Sequence, residues 1–511
     1  MDNLWKKETG RAEYVDLFAS VQRSSLDDML LESVKRQQTR KNNQKSTEWR
    51  LKGNELFRQE NWPEATICYN KSLCYAEVGS ENVALAYSNR SACLFHGQIL
   101  NEVLVDIELA RNANLPDRLT KKLEDRKNEC LKQMSMVKCE GKSKLKLSYK
   151  ADKNFPCMTN IVEIKYNEEF GRHLVAKCDI PVGKTVLLET NFLQISDEPS
   201  VCHSCLRLGM NCMACPNCPD VMFCSVDCMN NDQIHKFVCG RFFATLPLPV
   251  RFVIKSILCA ITSFSDVDSL MQFVEGALLE KPEALPTSLN DSKSKYHFFF
   301  KLSTIIPYDD ELLKATDMLY RCMITLPKVS NLFDCDRKKR FFMHLLMHHV
   351  LVCNTNKFGC DDTKYVANVT SLMNHSCAAN VISYPLRGYV IGVTGRPIRK
   401  GEQLFINYSK ELDGMPSNER KAELKSRRGF DCKCERCEPT RAPIDRKLIT
   451  SDPCYKYVAK NQHIDMVRNQ TESAIIKKKC IEFLNKYGRS AWSSEIELIF
   501  NVYAIHLANA L

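Results

Sequence analysis

The run CHSCLRLGMNCMACPNCPDVMFCSVDCMNNDQIHKFVC (202–239) spaces soft metal ligands in pairs: Cys202-x2-Cys205, Cys215-x2-Cys218, Cys224-x3-Cys228 and His235-x3-Cys239. A two-residue gap lets a tight turn aim two sulfurs at one ion, and a three-residue gap sets ligands one helical turn apart. Four pairs make two tetrahedral sites with no open position for a substrate, so the finger is predicted to be structural. Cys212 is left over and is the alternative ligand. The stretch MDNLWKKETGRAEYVDL lacks the apolar core of a signal peptide, and Arg251 and Lys255 interrupt the greasiest segment, 246–264, so no membrane span is expected. Without a secretory route, 26 cysteines point to thiolate–metal chemistry rather than disulfides. The net charge of +11 is spread along the chain; it permits acidic partners and does not call for nucleic acid.

A second cysteine cluster lies far downstream. DCKCERCEP supplies Cys432, Cys434 and Cys437, an incomplete tetrahedron whose best fourth ligand is Cys377 in SLMNHSCAAN. Alone, the C-x-C-x2-C run also reads as a redox or surface cluster. MHLLMHH (343–349) presents His344, His348 and His349 at helical spacing with no carboxylate or cysteine beside them, which reads as a packed helix rather than a metal site.

The finger resembles the MYND type, including Phe223-Cys224-Ser225, although no Trp precedes His235. That resemblance implies interleaved zinc sites: Cys202, Cys205, Cys224 and Cys228 on one ion, Cys215, Cys218, His235 and Cys239 on the other. Four further blocks occur in order: EFGRHLVAKCDIPVGKTVLLE (169–189), Asn374-His375-Ser376-Cys377 with Asn380, GEQLFINY ending at Tyr408, and GFDCKCERC. Together with the finger they resemble the SET and MYND domain protein lysine methyltransferases over about residues 159–440. The resemblance implies S-adenosylmethionine held around Gly171, Arg172, His173, Asn354, Asn374, His375, Tyr408 and Phe430, with Tyr408 as the catalytic group and about three zinc ions per chain. Arg428 stands where several relatives carry an aromatic residue lining the lysine channel.

These residues need elements to position them. Alternating apolar positions around Val175, Ile180, Val182 and Val186, with glycines at 171 and 183, read as short strands. Gly53, Ala65 and Tyr69 match a tetratricopeptide (TPR) repeat, a second set recurs at Ser91, Val103, Ile107 and Ala110, and a third, capping helix pair is expected in LPDRLTKKLEDRKNECLKQM. The fold class expected is multidomain α+β: TPR-like helices (46–135), a basic linker (136–158), the first SET half (159–201), the finger (202–239), a helical insert (240–350), the second SET half (351–429), a post-SET zinc site (430–440) and short C-terminal helices (441–511) that leave the cleft more open than in relatives. Besides the substrate lysine, the partners expected are peptides at the finger and acidic chaperone C-terminal tails in a helical groove of Arg50, Asn54, Asn89, Lys122 and Arg126. The location expected is cytoplasmic and nuclear. A catalytically weak or inactive adaptor is the alternative to an enzyme.

Overall fold

The computed structural model describes residues 39–136, 145–197, 201–207, 209, 211–304, 310–359, 362–386, 388–464 and 469–508, with 21, 29, 31 and 32 besides; part of the expected linker, 137–144, lies outside them. Helix α1 (Asn43–Arg58) begins where the Asn42 side chain accepts the Lys45 N–H, and α2 (Trp62–Tyr75) where Asn61 accepts from Glu64, with a proline in its first turn. Next come α3 (Glu81–His96), α4 (Leu100–Arg111) and α5 (Asp117–Met136). Each helix packs on its predecessor. A Cβ on Gly53 would fall 2.6 Å from the Tyr69 ring, so α1 and α2 approach only because that position is bare. The segment expected to form a capping pair is the single helix α5, because no glycine or proline interrupts residues 117–136.

Strands β1 (Val162–Asn167), β2 (Gly171–Ala176), β3 (Thr185–Thr190) and β4 (Leu193–Ser196) precede the finger, which holds β5 (Met213–Ala214), β6 (Met222–Phe223), α6 (Val226–Asn231) and α7 (His235–Val238). The insert comprises α8 (Leu248–Thr262), α9 (Val267–Leu279), α10 (Ser292–Phe300), α11 (Asp310–Met323), α12 (Pro327–Ser330) and α13 (Asp336–Asn356). Then follow β7 (Thr363–Val366), β8 (Asn374–His375), β9 (Val381–Leu386), β10 (Tyr389–Thr394), β11 (Phe405–Ile406) and α14 (Ser417–Arg428). The chain continues through α15 (Arg446–Ser451), α16 (Pro453–Asn461), α17 (Gln470–Tyr487) and α18 (Ser494–Ala508). The two halves of the β core close on each other: β3 pairs antiparallel with β10 (Leu188 opposite Ile391) and β4 with β7. Residues 145–158 belong to this core rather than to a linker, since Ser148 exchanges hydrogen bonds with Thr185, and Met158 bridges to Leu187. Isolated bridges leave no strand period, which is why the sequence reads as a linker there.

The C-terminal helices cover the outer face of the β3-β10-β9 sheet, where Ile382, Ile391 and Val393 pack with Ile476, Phe483, Ile499 and Tyr503. The finger docks on the N-terminal helices through buried polar groups. Arg90 and Asp106, each fully buried, form an ion pair at 2.7 Å. Arg90 also donates to Asn70 Oδ1 (2.7 Å) and to the carbonyl of Cys212 in the finger (2.9 Å), and Asn211 Nδ2 donates to Asp106 Oδ1 (2.7 Å). Cys212 therefore packs among helical residues such as Leu73 and Leu94, and stands outside both finger ligand groups.

Among the described residues no single helix is long and apolar enough to cross a membrane; α8, largely buried, and α9, buried along one face, meet at a 102° bend. His349 on α13 bonds Ser256 Oγ and Tyr296 OH, each at 2.9 Å, and His348 Nε2 donates to Phe300 O, as expected of a packed helix.

Replacing Arg90 with Ala strands a buried carboxylate and should cost about 3–5 kcal/mol in denaturant unfolding. A loss under about 1 kcal/mol would mean that the pair holds nothing together. Burial holds His348 down at about 4, against about 6.5 in an unfolded chain. Its stabilising contribution is therefore present above pH 6.5 and is withdrawn as pH falls through 4. Between those limits wild type should lose up to about 3 kcal/mol more than His348→Gln.

Candidate functional site

A cavity of about 1310 Å³ opens between the β1–β2 turn, the end of α13, the β8 and β11 strands and the residues after α14. Parallel pairing of β8 with β11 sets Asn374 opposite Phe405 and His375 opposite Ile406, so the residues just beyond β11 turn back toward β8. The backbone N–H of Tyr408 donates to His375 Nδ1 at 3.1 Å, which leaves the imidazole proton on Nε2, 3.2 Å from Cys377 Sγ. Burial pushes His375 down to about 4, with Arg428 and Arg420 adding to the depression and Cys434 opposing it; the ring is neutral at physiological pH. The Tyr408 hydroxyl donates to Met373 O at 2.7 Å, and burial raises its pKa further above the ordinary phenol value. It is therefore a fixed, protonated donor and not a base.

Phe430 stands 5.6 Å from the His375 ring and 6.4 Å, edge to face, from Tyr408. It is delivered by Gly429, whose φ of +76° ends α14 in the left-handed conformation that glycine tolerates. Gly171, with φ +60°, has nothing within 4 Å of the position a Cβ would take and lines the cavity, so a ligand can approach the backbone closely there.

Of the expected cofactor residues, Gly171, Arg172, Asn374, His375, Tyr408 and Phe430 line the cavity. Arg172 also donates to Lys301 O, and Asn374 Nδ2 to Gln403 Oε1 at 3.1 Å. Two expected residues do not line it. His173 is buried in β2, bonded to Gly171 O at 2.9 Å, because alternation along the strand turns it away from its neighbours. Asn354 instead accepts from Lys357 Nζ at 2.9 Å, while Asn356, two residues on, lines the cavity. A helix turns about 200° in two residues, and no local sequence signal chooses between these asparagines. The C-terminal region, expected to leave the cleft open, supplies Gly488 and Arg489 to its wall from the turn after α17.

Three groups of four ligands gather, with the atoms of each group within 4.8 Å of one another: Cys202, Cys205, Cys224 and Cys228; Cys215, Cys218, His235 and Cys239; and Cys377, Cys432, Cys434 and Cys437. Tetrahedral zinc with Zn–S of about 2.3 Å sets sulfurs about 3.8 Å apart. The pairs Cys205–Cys224 (3.6 Å), Cys215–Cys239 (3.8 Å) and Cys377–Cys432 (3.9 Å) fit that spacing. Within these groups the thiols compete for protons: Cys215 and Cys434 are held well below the ordinary cysteine value, and Cys218, Cys377 and Cys432 above it, so without an ion only part of each set is thiolate. At the third group buried Arg420 reaches Cys437 Sγ at 3.5 Å, a cation beside clustered thiolates.

Elsewhere, Asn54 Oδ1 accepts from Asn89 Nδ2 (2.8 Å) and Tyr69 OH (3.0 Å), and Arg126 donates to Ser91 Oγ at 2.6 Å, two residues beyond Asn89. Lys122 is exposed on α5.

Residues 171–409 match the SET domain family. A zebrafish (Danio rerio) protein-lysine N-methyltransferase SMYD4 is 24% identical over 229 residues, 39% of this chain and 30% of that protein. The mouse (Mus musculus) protein of the same name is 22% identical over 534 residues, covering 76% of this chain and 66% of that one. The chain thus spans just under two thirds of the mouse relative. A solved structure of Rubisco LSMT bound to AdoMet covers 69% of this chain and 87% of its own, at 13% identity and a TM-score of 0.29, too low to carry an argument.

Metal analysis of the purified protein should give about three zinc ions per chain. Cys434→Ser should remove one of them and leave the finger pair in place; a wild-type value near two would refute the third site.

Proposed function

We propose that this chain, a SET-domain protein related to the SET and MYND proteins, is a protein-lysine N-methyltransferase that uses S-adenosylmethionine. The observation carrying this reading is the cavity in which Gly171, Asn374, His375, Tyr408 and Phe430 converge around one neutral imidazole. Bound S-adenosylmethionine supplies an electrophilic methyl group on a sulfonium sulfur. Asn374 and the backbone around Gly171 would hold its amino-acid end, and Phe430 and the edge of His375 its adenine.

A lysine amine has pKa about 10.4, so on the order of one in a thousand is neutral at physiological pH. The reaction needs no strong base beside Tyr408. A half-buried channel disfavours the ammonium form, and its proton leaves through water. Tyr408, held by Met373 O and by its own backbone bond to His375, orients the amine for in-line attack. The acceptor is a lysine of a histone or another protein, and the site of action is the cytoplasm and nucleus.

A second role rests on a separate observation: Asn54 on α1 and Arg126 on α5 both bond to α3, at Asn89 and Ser91, and Arg50 Nε on α1 is buried without a hydrogen-bond partner among the described residues. These donors suit the carboxylates of an acidic tail, so the TPR-like unit recruits chaperone C-termini while the finger recruits peptides. With Arg428 in place of a channel aromatic, this recruiting role is also what an inactive adaptor would retain.

Calorimetry should detect S-adenosylmethionine binding that Asn374→Ala weakens about tenfold. Tyr408→Phe should lower labelled methyl transfer into a cell extract by about 100-fold with binding retained. Cofactor binding without any transfer would favour the adaptor.

A further inference from the structure

Resting on the methyltransferase reading, we infer that the lysine accepted by this cavity is flanked by acidic residues, whose carboxylates are held by Lys357 and Arg428. Both cations are half-buried and both line the cavity that contains Tyr408. The Arg428 guanidinium lies 5.7 Å from the centre of the Tyr408 ring and donates through Nη1 to Thr355 O at 3.1 Å. Lys357 Nζ donates to Asn354 Oδ1 at 2.9 Å. Among the described residues neither forms an ion pair, and the hydrogen bonds that each donates go to neutral acceptors. Burial depresses the pKa of each, and Lys364 and Arg428 add repulsion at Lys357.

Of the acids in the same lining, Glu435, Asp431 and Glu402 are already engaged. Glu435 pairs with Arg396 at 2.6 Å, Asp431 with Lys425 at 2.9 Å, and Glu402 accepts the Arg399 backbone N–H at 2.9 Å. Glu411 attracts Arg428 from outside the lining, but it is shared with Arg427 at 3.6 Å. Glu168 and Glu169 also line the cavity, but at its solvent-exposed rim in the turn between β1 and β2. Half-buried like charges without counter-ions favour an incoming carboxylate and repel a cation. An Asp or Glu beside the acceptor lysine supplies that carboxylate as the lysine enters. A lysine in an Arg- and Lys-rich context meets repulsion instead.

Short fluorescein-labelled peptides with one central lysine, flanked by Glu, Gln or Arg, test this on the full chain by fluorescence anisotropy with S-adenosylhomocysteine present. The Glu peptide should bind at least about tenfold tighter than the Gln peptide, and the Arg peptide weakest. Lys357→Gln should narrow the Glu preference, and Lys357→Glu combined with Arg428→Glu should invert it. Arg428→Lys should keep it. Equal affinity for all three peptides would overturn the inference. So would charge variants that lose S-adenosylhomocysteine binding yet keep the peptide ranking, since the carboxylate would then be the cofactor's own. Selective binding of the Glu peptide without methyl transfer from S-adenosylmethionine would support the acidic selectivity and refute the methyltransferase reading, which separates the two.

Discussion

One imidazole ties the site together. His375 accepts the Tyr408 N–H on one nitrogen and faces the Cys377 sulfur with the other. Its two bonds demand a neutral ring with a defined tautomer, and burial provides the neutrality. The proposed reactive phenol is thus positioned by a residue that also touches a metal-ligand cluster. A metal at Cys377, Cys432, Cys434 and Cys437 would fix the sulfur to which His375 donates, and through it the backbone of Tyr408. The same cluster anchors the segment carrying Phe430, so cofactor wall and tyrosine share one support.

A different constraint governs the other end of the chain. The buried Arg90–Asp106 pair is costly to desolvate, yet every polar partner around it belongs to the junction of helices and finger. An apolar contact of similar size would tolerate sliding; a buried bidentate pair that also grips the Cys212 carbonyl tolerates little. The finger is therefore held in one orientation between the helices and the β core.

Much of this was legible in the sequence, for reasons that differ by residue. Ligand spacing is a local property, so Cys202-x2-Cys205 and its companions announce a metal site without any knowledge of the fold. Gly53 and Tyr69 betray a close helix crossing because only a missing side chain permits it. Cys377 was reachable as the fourth ligand because three thiolates are an incomplete set. Asn354 and Asn356 both lie at the end of α13, and only tertiary packing decides that Asn356 is the one lining the cavity. The side of β2 that His173 occupies is likewise set by strand pairing and not by local sequence. The Arg90 network left no trace, because a buried arginine and an exposed one look alike in a sequence. Likewise Gly488 and Arg489 reach the cavity through helix docking alone.

The pairing of β3 with β10 has a consequence for how the chain is made. Leu188 finds Ile391 only after the finger and the whole insert have been synthesised. At about 5–20 residues per second, β3 waits on the order of 10–40 s on the ribosome with its edge unsatisfied. High contact order makes that final pairing slow as well. The inserted modules can mature first, and their folding draws the two strands together. Until then β3, with Val186 and Leu187 destined for the core, is an open template for intermolecular pairing. A nascent chain that ends between residues 190 and 380 carries β3 without its β10 partner, the condition in which edge pairing between chains is favoured.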